Sequence, residues 1–172
     1  MKFREIVRFE LVYQTRRVQT WLYFAILLVV AYFLTKNGIA DATNGSSHAN
    51  SSFAIALTTV ICNLLWLLMA SAVAGSAAAR DVQTRMYPLI YATPVTNAEY
   101  LGGRFLAAFA LNALILFAVP TGILLGLLLP GVEPESLGAF RPAAHLSAYG
   151  VIALPTAFVV SAIQFSQPWS SE

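Results

Sequence analysis

Charged and polar side chains are scarce in this chain, so the places where they gather mark where it can do chemistry. One such place, between two long apolar stretches, is residues 80–104, which hold Arg80, Asp81, Arg85, Tyr87, Thr93, Glu99 and Arg104. Pro88 and Pro94 divide this stretch. Thr96-Asn97-Ala98-Glu99 then fits a capping box, in which the Thr96 hydroxyl and the Glu99 carboxylate satisfy backbone donors at the start of a helix. Before it, residues 81–91 are expected to form a short surface helix carrying Met86, Tyr87, Leu89, Ile90 and Tyr91 beside Arg80 and Arg85. Such a surface suits the docking of another protein, or equally a helix resting on lipid headgroups.

Covalent chemistry finds less support. The chain has no G-x-S-x-G, no H-E-x-x-H and no G-x-x-x-x-G-K-[ST]. An intramembrane enzyme needs a nucleophile or paired carboxylates at depth, yet no Asp or Glu lies in any apolar segment. Ser71, Ser147 and Ser161 have no histidine base nearby except His145, at the edge of the last segment. His48 and His145 each fall in an expected outer loop and read as solvated side chains, because a zinc site needs three or four converging ligands. Cys62, among Val60, Ile61, Leu64 and Leu65, reads as a lipid-facing or packed thiol. We therefore assign no catalytic, cofactor-binding or metal-binding residue, and ATP energy would have to come from a partner.

The elements that position residues 80–104 follow from composition. The 172 residues are 58% hydrophobic and 10% charged, with mean hydropathy +0.70. Soluble domains carry about a quarter charged residues, and a globule this small could not hide so much apolar surface. The expected fold class is an all-α integral membrane protein of about four transmembrane helices preceded by an amphipathic interfacial helix.

Residues 1–17 supply the interfacial helix, with Phe3, Ile6, Val7 and Phe9 beside Arg4, Glu5 and Arg8. The spans are expected at about 18–35, 53–79, 105–129 and 146–165. A signal peptide competes for the first, since Ala40-Asp41-Ala42 resembles a cleavage site, but Glu5 and Glu10 sit poorly in its basic leader. In the second, Ser71, Gly75 and Ala79 recur every four residues and make one face small enough for a helix to approach. Asn63 is its strongly polar side chain, read first as an interhelical hydrogen-bonding group and second as a substrate contact. Pro120 should interrupt the third span by freeing the carbonyl near Leu116, and Gly122 and Gly126 beyond it form a GxxxG packing motif.

Orientation follows from the basic residues. Lys2, Arg4, Arg8, Arg16, Arg17, Arg80, Arg85 and Arg104 fall on one side, against Lys36 and Arg141 on the other. The positive-inside rule then puts the N-terminus and residues 80–104 in the cytoplasm, most simply of a bacterial inner membrane. A formal net charge of +2 gives no reason to expect nucleic acid.

Three segments together resemble a known family. Phe3-Arg4-Glu5-Ile6-Val7-Arg8-Phe9-Glu10-Leu11, with Tyr13-Gln14 and Arg17 before Trp21, is the first. Ala79-Arg80-Asp81 with Thr84-Arg85 and Leu89-Ile90-Tyr91-Ala92-Thr93-Pro94-Val95 is the second, and Tyr100-Leu101-Gly102-Gly103-Arg104-Phe105 is the third. The chain resembles the membrane half of type-2 ABC transporter permeases, most closely the branch fused to a zinc aminopeptidase-like domain. The resemblance implies a transporter subunit whose first cytoplasmic loop, residues 80–104, couples to a separate ABC ATPase subunit. Carried over by position, Arg80, Asp81, Arg85, Tyr87, Thr93, Pro94 and Glu99 would face or shape that contact. It also implies a second permease copy or half, with the lipid bilayer as solvent and no cofactor in this chain. Family permease units have six spans, so the four here, and the tail 166–172 that departs from the family, are expected of a truncated or frameshifted product, inactive alone. A non-transporting membrane anchor or assembly protein is the alternative.

Overall fold

A computed structural model describes residues 2–37, 48, 50–83, 97–129 and 140–166, with side chains for all of these except 2, 71–83, 97–101, 165 and 166. Among the described residues every regular element is helical. The order is α1 (Lys2–Thr15), α2 (Val18–Lys36), α3 (Ser52–Gln83), α4 (Asn97–Leu116), α5 (Ala118–Leu128), α6 (Pro142–Ala148), a π-helical turn (Tyr149–Ala153) and α7 (Leu154–Ser166). Four stretches are long and apolar enough to cross a membrane: Val18–Lys36, Ser52–Ala70, Gly102–Leu128 and Pro142–Gln164. The protein has the architecture of a multi-pass membrane protein, with lipid as the natural solvent of its outer surface.

Each span buries one stripe and leaves the rest of its circumference apolar and exposed. In α2 the buried positions are Thr20, Leu27, Ala31 and Thr35, a single face at helical spacing. Leu22, Val29 and Phe33 of the same helix are about half exposed. In α3 the stripe is Ile55, Thr58, Thr59, Cys62, Asn63, Trp66 and Ala70, while Leu64 and Leu68 face outward. Cys62 is therefore packed inside rather than turned to lipid.

Pairings along the helices fix their directions. Gly122 lies against Leu28 and Ala31, Gly126 against Tyr32 and Thr35, and the Lys36 ammonium donates to the Leu129 carbonyl. The partners advance together, so α2 and α5 run parallel. Between the third and fourth spans the order reverses: Asn112 meets Ser161, whereas Phe117, further along the third span, meets Tyr149. Tyr23, near the start of α2, meets Trp66, near the far end of the apolar stretch Ser52–Ala70, as antiparallel neighbours would. The spans thus alternate, and the first and third begin at the same end of the bundle.

Helix ends depart from expectation in ways the residues explain. α3 continues to Gln83 instead of stopping at 79, since the Ala77–Arg80 region favours helix and no breaker follows Gly75 until Pro88. α4, by contrast, begins at Asn97, directly after Thr96, where the capping box puts the start of the helix that enters the third span. The expected interruption falls at Phe117: Pro120 offers no N–H to the Leu116 carbonyl, and the Phe117 N–H is shared between the Ala113 and Leu114 carbonyls at 3.0 and 3.2 Å. The fourth span starts at Pro142, in the first turn where proline is tolerated, rather than at 146. His145 is consequently a helical residue only 7% exposed, with its Nδ1 3.3 Å from the Arg141 carbonyl, and not a solvated loop side chain. His48 is exposed.

Candidate functional site

Of the residues singled out for partner contact, Arg80, Asp81 and Glu99 lie on the described backbone. α3 is 32 residues long, about 48 Å at the α-helical rise, whereas hydrocarbon is about 30 Å thick. Its surplus turns carry Arg80 and Asp81 past the end of the span. α4 begins five residues before the apolar stretch that opens at Gly102, and Glu99 lies in that short lead. Residues 84–96 join these two stems, so Arg85, Tyr87, Thr93 and Pro94 lie outside the described residues, as does most of the expected surface helix at 81–91. Asp81 to Gln83 are the last residues of α3. Ser71, Gly75 and Ala79 lie on the α3 backbone at four-residue spacing.

α1 lies across the start of the third span. Its N-terminal part packs on the start of α4, where a Cβ added at Gly103 would come 3.1 Å from the Ile6 Cγ2 and one at Gly102 would come 3.6 Å from Phe3. Its C-terminal end is fastened to α2. The Thr20 hydroxyl donates to the Gln14 carbonyl and the Trp21 indole to the Thr15 carbonyl, both at 2.8 Å. These are carbonyls of the last turn of α1, beyond the reach of the helix's own N–H groups; the Gln14 carbonyl also accepts from the Arg17 N–H at 3.1 Å. The Arg17 guanidinium donates to the Tyr13 hydroxyl at 2.7 Å and sits 4.7 Å from the centre of that ring. α1 thereby bridges the starts of the first and third spans. Read as sequence, the Arg16-Arg17 pair and Trp21 mark a membrane boundary, but the two side-chain caps depend on a sharp turn that periodicity does not reveal.

The spans beneath are locked by few but specific contacts. A Cβ at Gly122 would stand 2.5 Å from the Leu28 carbonyl oxygen and 2.8 Å from the Ala31 Cβ, and one at Gly126 would stand 2.9 Å from the Thr35 Cβ. The GxxxG pair is where α5 touches the α2 backbone. Asn112 Nδ2 donates to Ser161 Oγ at 2.9 Å and lies 3.4 Å from Gln164 Oε1, and Ser161 in turn donates to the Ala157 carbonyl at 2.7 Å. Asn112 is thus the polar side chain that ties two spans together. Asn63, for which that role was expected, instead donates to Thr59 of its own helix at 2.7 Å, and its Oδ1 has no partner among the described residues.

Two proline-driven irregularities meet at one level. Pro155 cannot donate to the Val151 carbonyl, and the π-helical turn Tyr149–Ala153 precedes it. From that turn the Tyr149 hydroxyl donates to the Ala113 carbonyl at 2.8 Å, one of the two carbonyls that share the Phe117 N–H. The Phe117 and Tyr149 rings stand edge to face, centroids 5.6 Å apart. The irregular turns of the third and fourth spans are therefore in direct contact.

Among the described residues no three His, Cys, Asp or Glu side chains gather where a metal could sit. No family model, curated protein or solved structure matches the chain.

Proposed function

We propose that the protein is a permease subunit of an ABC-type transporter in a bacterial inner membrane, with its N-terminus in the cytoplasm, driven by a separate ATPase that docks on residues 80–104. The observation that carries this reading is the length of α3. A helix serving only as a span has no use for the surplus turns that carry Arg80 and Asp81, which exceed the thickness of the hydrocarbon. The basic residues favour the same side. Eight of the ten Lys and Arg fall in residues 1–17 and 80–104, the distribution expected of a cytoplasmic face.

In this reading α1 is an interfacial helix, with Phe9 and Tyr13 stacked on its outer side and exposed to lipid. ATP closes an ATPase dimer, and residues 80–104 are displaced with it. The two helical stems pass that displacement to α3 and the third span, which shift as rigid elements. The spans carry charge only near their ends, at Lys36 and Arg104, and few polar groups, so an apolar, lipid-like or peptide cargo suits them, and a second permease copy or half completes the pathway.

The test is isolation of the chain from its native membrane in mild detergent, with identification of what accompanies it. An ATPase subunit should co-purify, and joint reversal by Arg85→Glu and Glu99→Arg should reduce its yield while insertion is unchanged. If no ATPase accompanies the chain, or if the double reversal leaves the yield unaltered, the permease reading fails and the anchor reading replaces it.

A further inference from the structure

A groove of about 390 Å³ runs along α1 where it meets the third span, lined by Phe3, Arg4, Val7, Arg8, Leu11, Val12 and Leu106. Its volume falls in the range of small-molecule clefts, about 300 to 1,000 Å³. Its walls are otherwise apolar, and its charged members are two arginines one helical turn apart. Both are exposed, and neither forms an ion pair among the described residues. Glu5 and Glu10 do not line it.

We infer that this groove is a binding site for one anionic phospholipid, its phosphate held by Arg4 and Arg8 and the upper part of an acyl chain laid against Val7, Leu11 and Leu106. Depth argues for a lipid. α1 bridges the starts of two spans, and Leu106 lies one turn inside the third, which opens at Gly102. The groove therefore sits where headgroup gives way to hydrocarbon. Charge argues for an anionic one: a guanidinium pairs with phosphate through two parallel hydrogen bonds, and two guanidiniums at an apolar cleft, with no acidic residue among those that line it, leave the positive charge of a zwitterionic headgroup without a partner there. An amphipathic peptide helix would demand a longer apolar channel than the roughly two and a half turns from Phe3 to Val12 provide. The site is independent of any ATPase and does not require residues 80–104.

Native mass spectrometry of the full detergent-solubilised chain, titrated with dioleoyl phosphatidylglycerol or dioleoyl phosphatidylcholine, tests this. One phosphatidylglycerol should be retained with about tenfold or greater preference, the scale expected of two arginines near an anionic group. Arg4→Gln with Arg8→Gln should abolish the preference, whereas Arg4→Lys with Arg8→Lys should keep most of it, and Arg141→Gln should leave it intact. Leu106→Trp, which fills the groove, should weaken both lipids. Equal retention of the two lipids would overturn the proposal. So would a preference that survives the double glutamine variant, or full displacement of the lipid by millimolar inorganic phosphate, which would leave the acyl chain no part in binding.

Discussion

Replacing Gly122 by alanine should loosen α5 from α2, and the size of the effect can be worked from the contact. The new Cβ would stand 2.5 Å from the Leu28 carbonyl oxygen, nearly 1 Å inside ordinary van der Waals distance, and 2.8 Å from the Ala31 Cβ. The nearer atom is backbone, so no side chain can turn away. The whole of α2 must shift, and overpacking of this kind costs about 1 to 3 kcal/mol. Alanine returns about 1 kcal/mol through its better helix propensity, leaving a net loss of up to about 2 kcal/mol. Gly126→Ala meets the Thr35 side chain at 2.9 and 3.1 Å, which is less severe, though Thr35 is held by its bond to the Ala31 carbonyl. Gly150→Ala meets nothing within 4 Å and serves as the control. Reversible unfolding in mixed micelles, followed by circular dichroism, should rank the variants Gly122→Ala least stable, then Gly126→Ala, with Gly150→Ala at or above wild type because it gains helix propensity without a clash. A Gly122→Ala protein as stable as the Gly150→Ala protein would refute the claim that this glycine sets the approach of the two helices.

Further outcomes follow from other contacts. A double-mutant cycle on Asn112→Ala and Ser161→Ala should return a coupling of about 0.6 kcal/mol and no more than about 1.7, the span measured for interhelical hydrogen bonds in membranes. No coupling would mean the pair is not formed. Tyr149→Phe should cost about 1 kcal/mol by freeing the Ala113 carbonyl, read from the same unfolding titration. Thr20→Val with Trp21→Phe should raise amide hydrogen exchange in the last turn of α1 without altering exchange in α5, since only the α1 end loses its caps.

The spans themselves were legible because the absence of charge over some twenty residues has one inexpensive physical solution. Residues 18–35 and the helix Val18–Lys36 nearly coincide, and Pro120 marked its interruption within four residues. Helix ends were read less well. Pro142 carried a usable signal as a first-turn proline, and Thr96 to Glu99 carried one as a capping box, yet hydropathy alone places both starts too late. Partner choice was hidden for a deeper reason. Gly122 and Gly126 announce that some helix comes close, but the receiving surface, Ala31 and Thr35, consists of ordinary residues in a helix apolar on every side. Asn63 and Asn112 are likewise indistinguishable in sequence. Only the register of the neighbouring helix gives Asn112 a partner in Ser161 and leaves Asn63 bonded to its own backbone. The groove along α1 depends on how α1 lies against α4, which nothing in the spacing of Arg4 and Arg8 reveals.

The alternation of four spans, and the proposed cytoplasmic orientation of the N-terminus and residues 80–104, are best tested by labelling. In a Cys62→Ala background, single cysteines at His48, Thr84 and Ser136 should be treated with an impermeant maleimide in intact cells and again after lysis. The account predicts labelling of the His48 and Ser136 positions in intact cells, and of Thr84→Cys only after lysis. Labelling of Thr84→Cys from outside, or recovery of the chain as a monodisperse protein in detergent-free buffer, would contradict it.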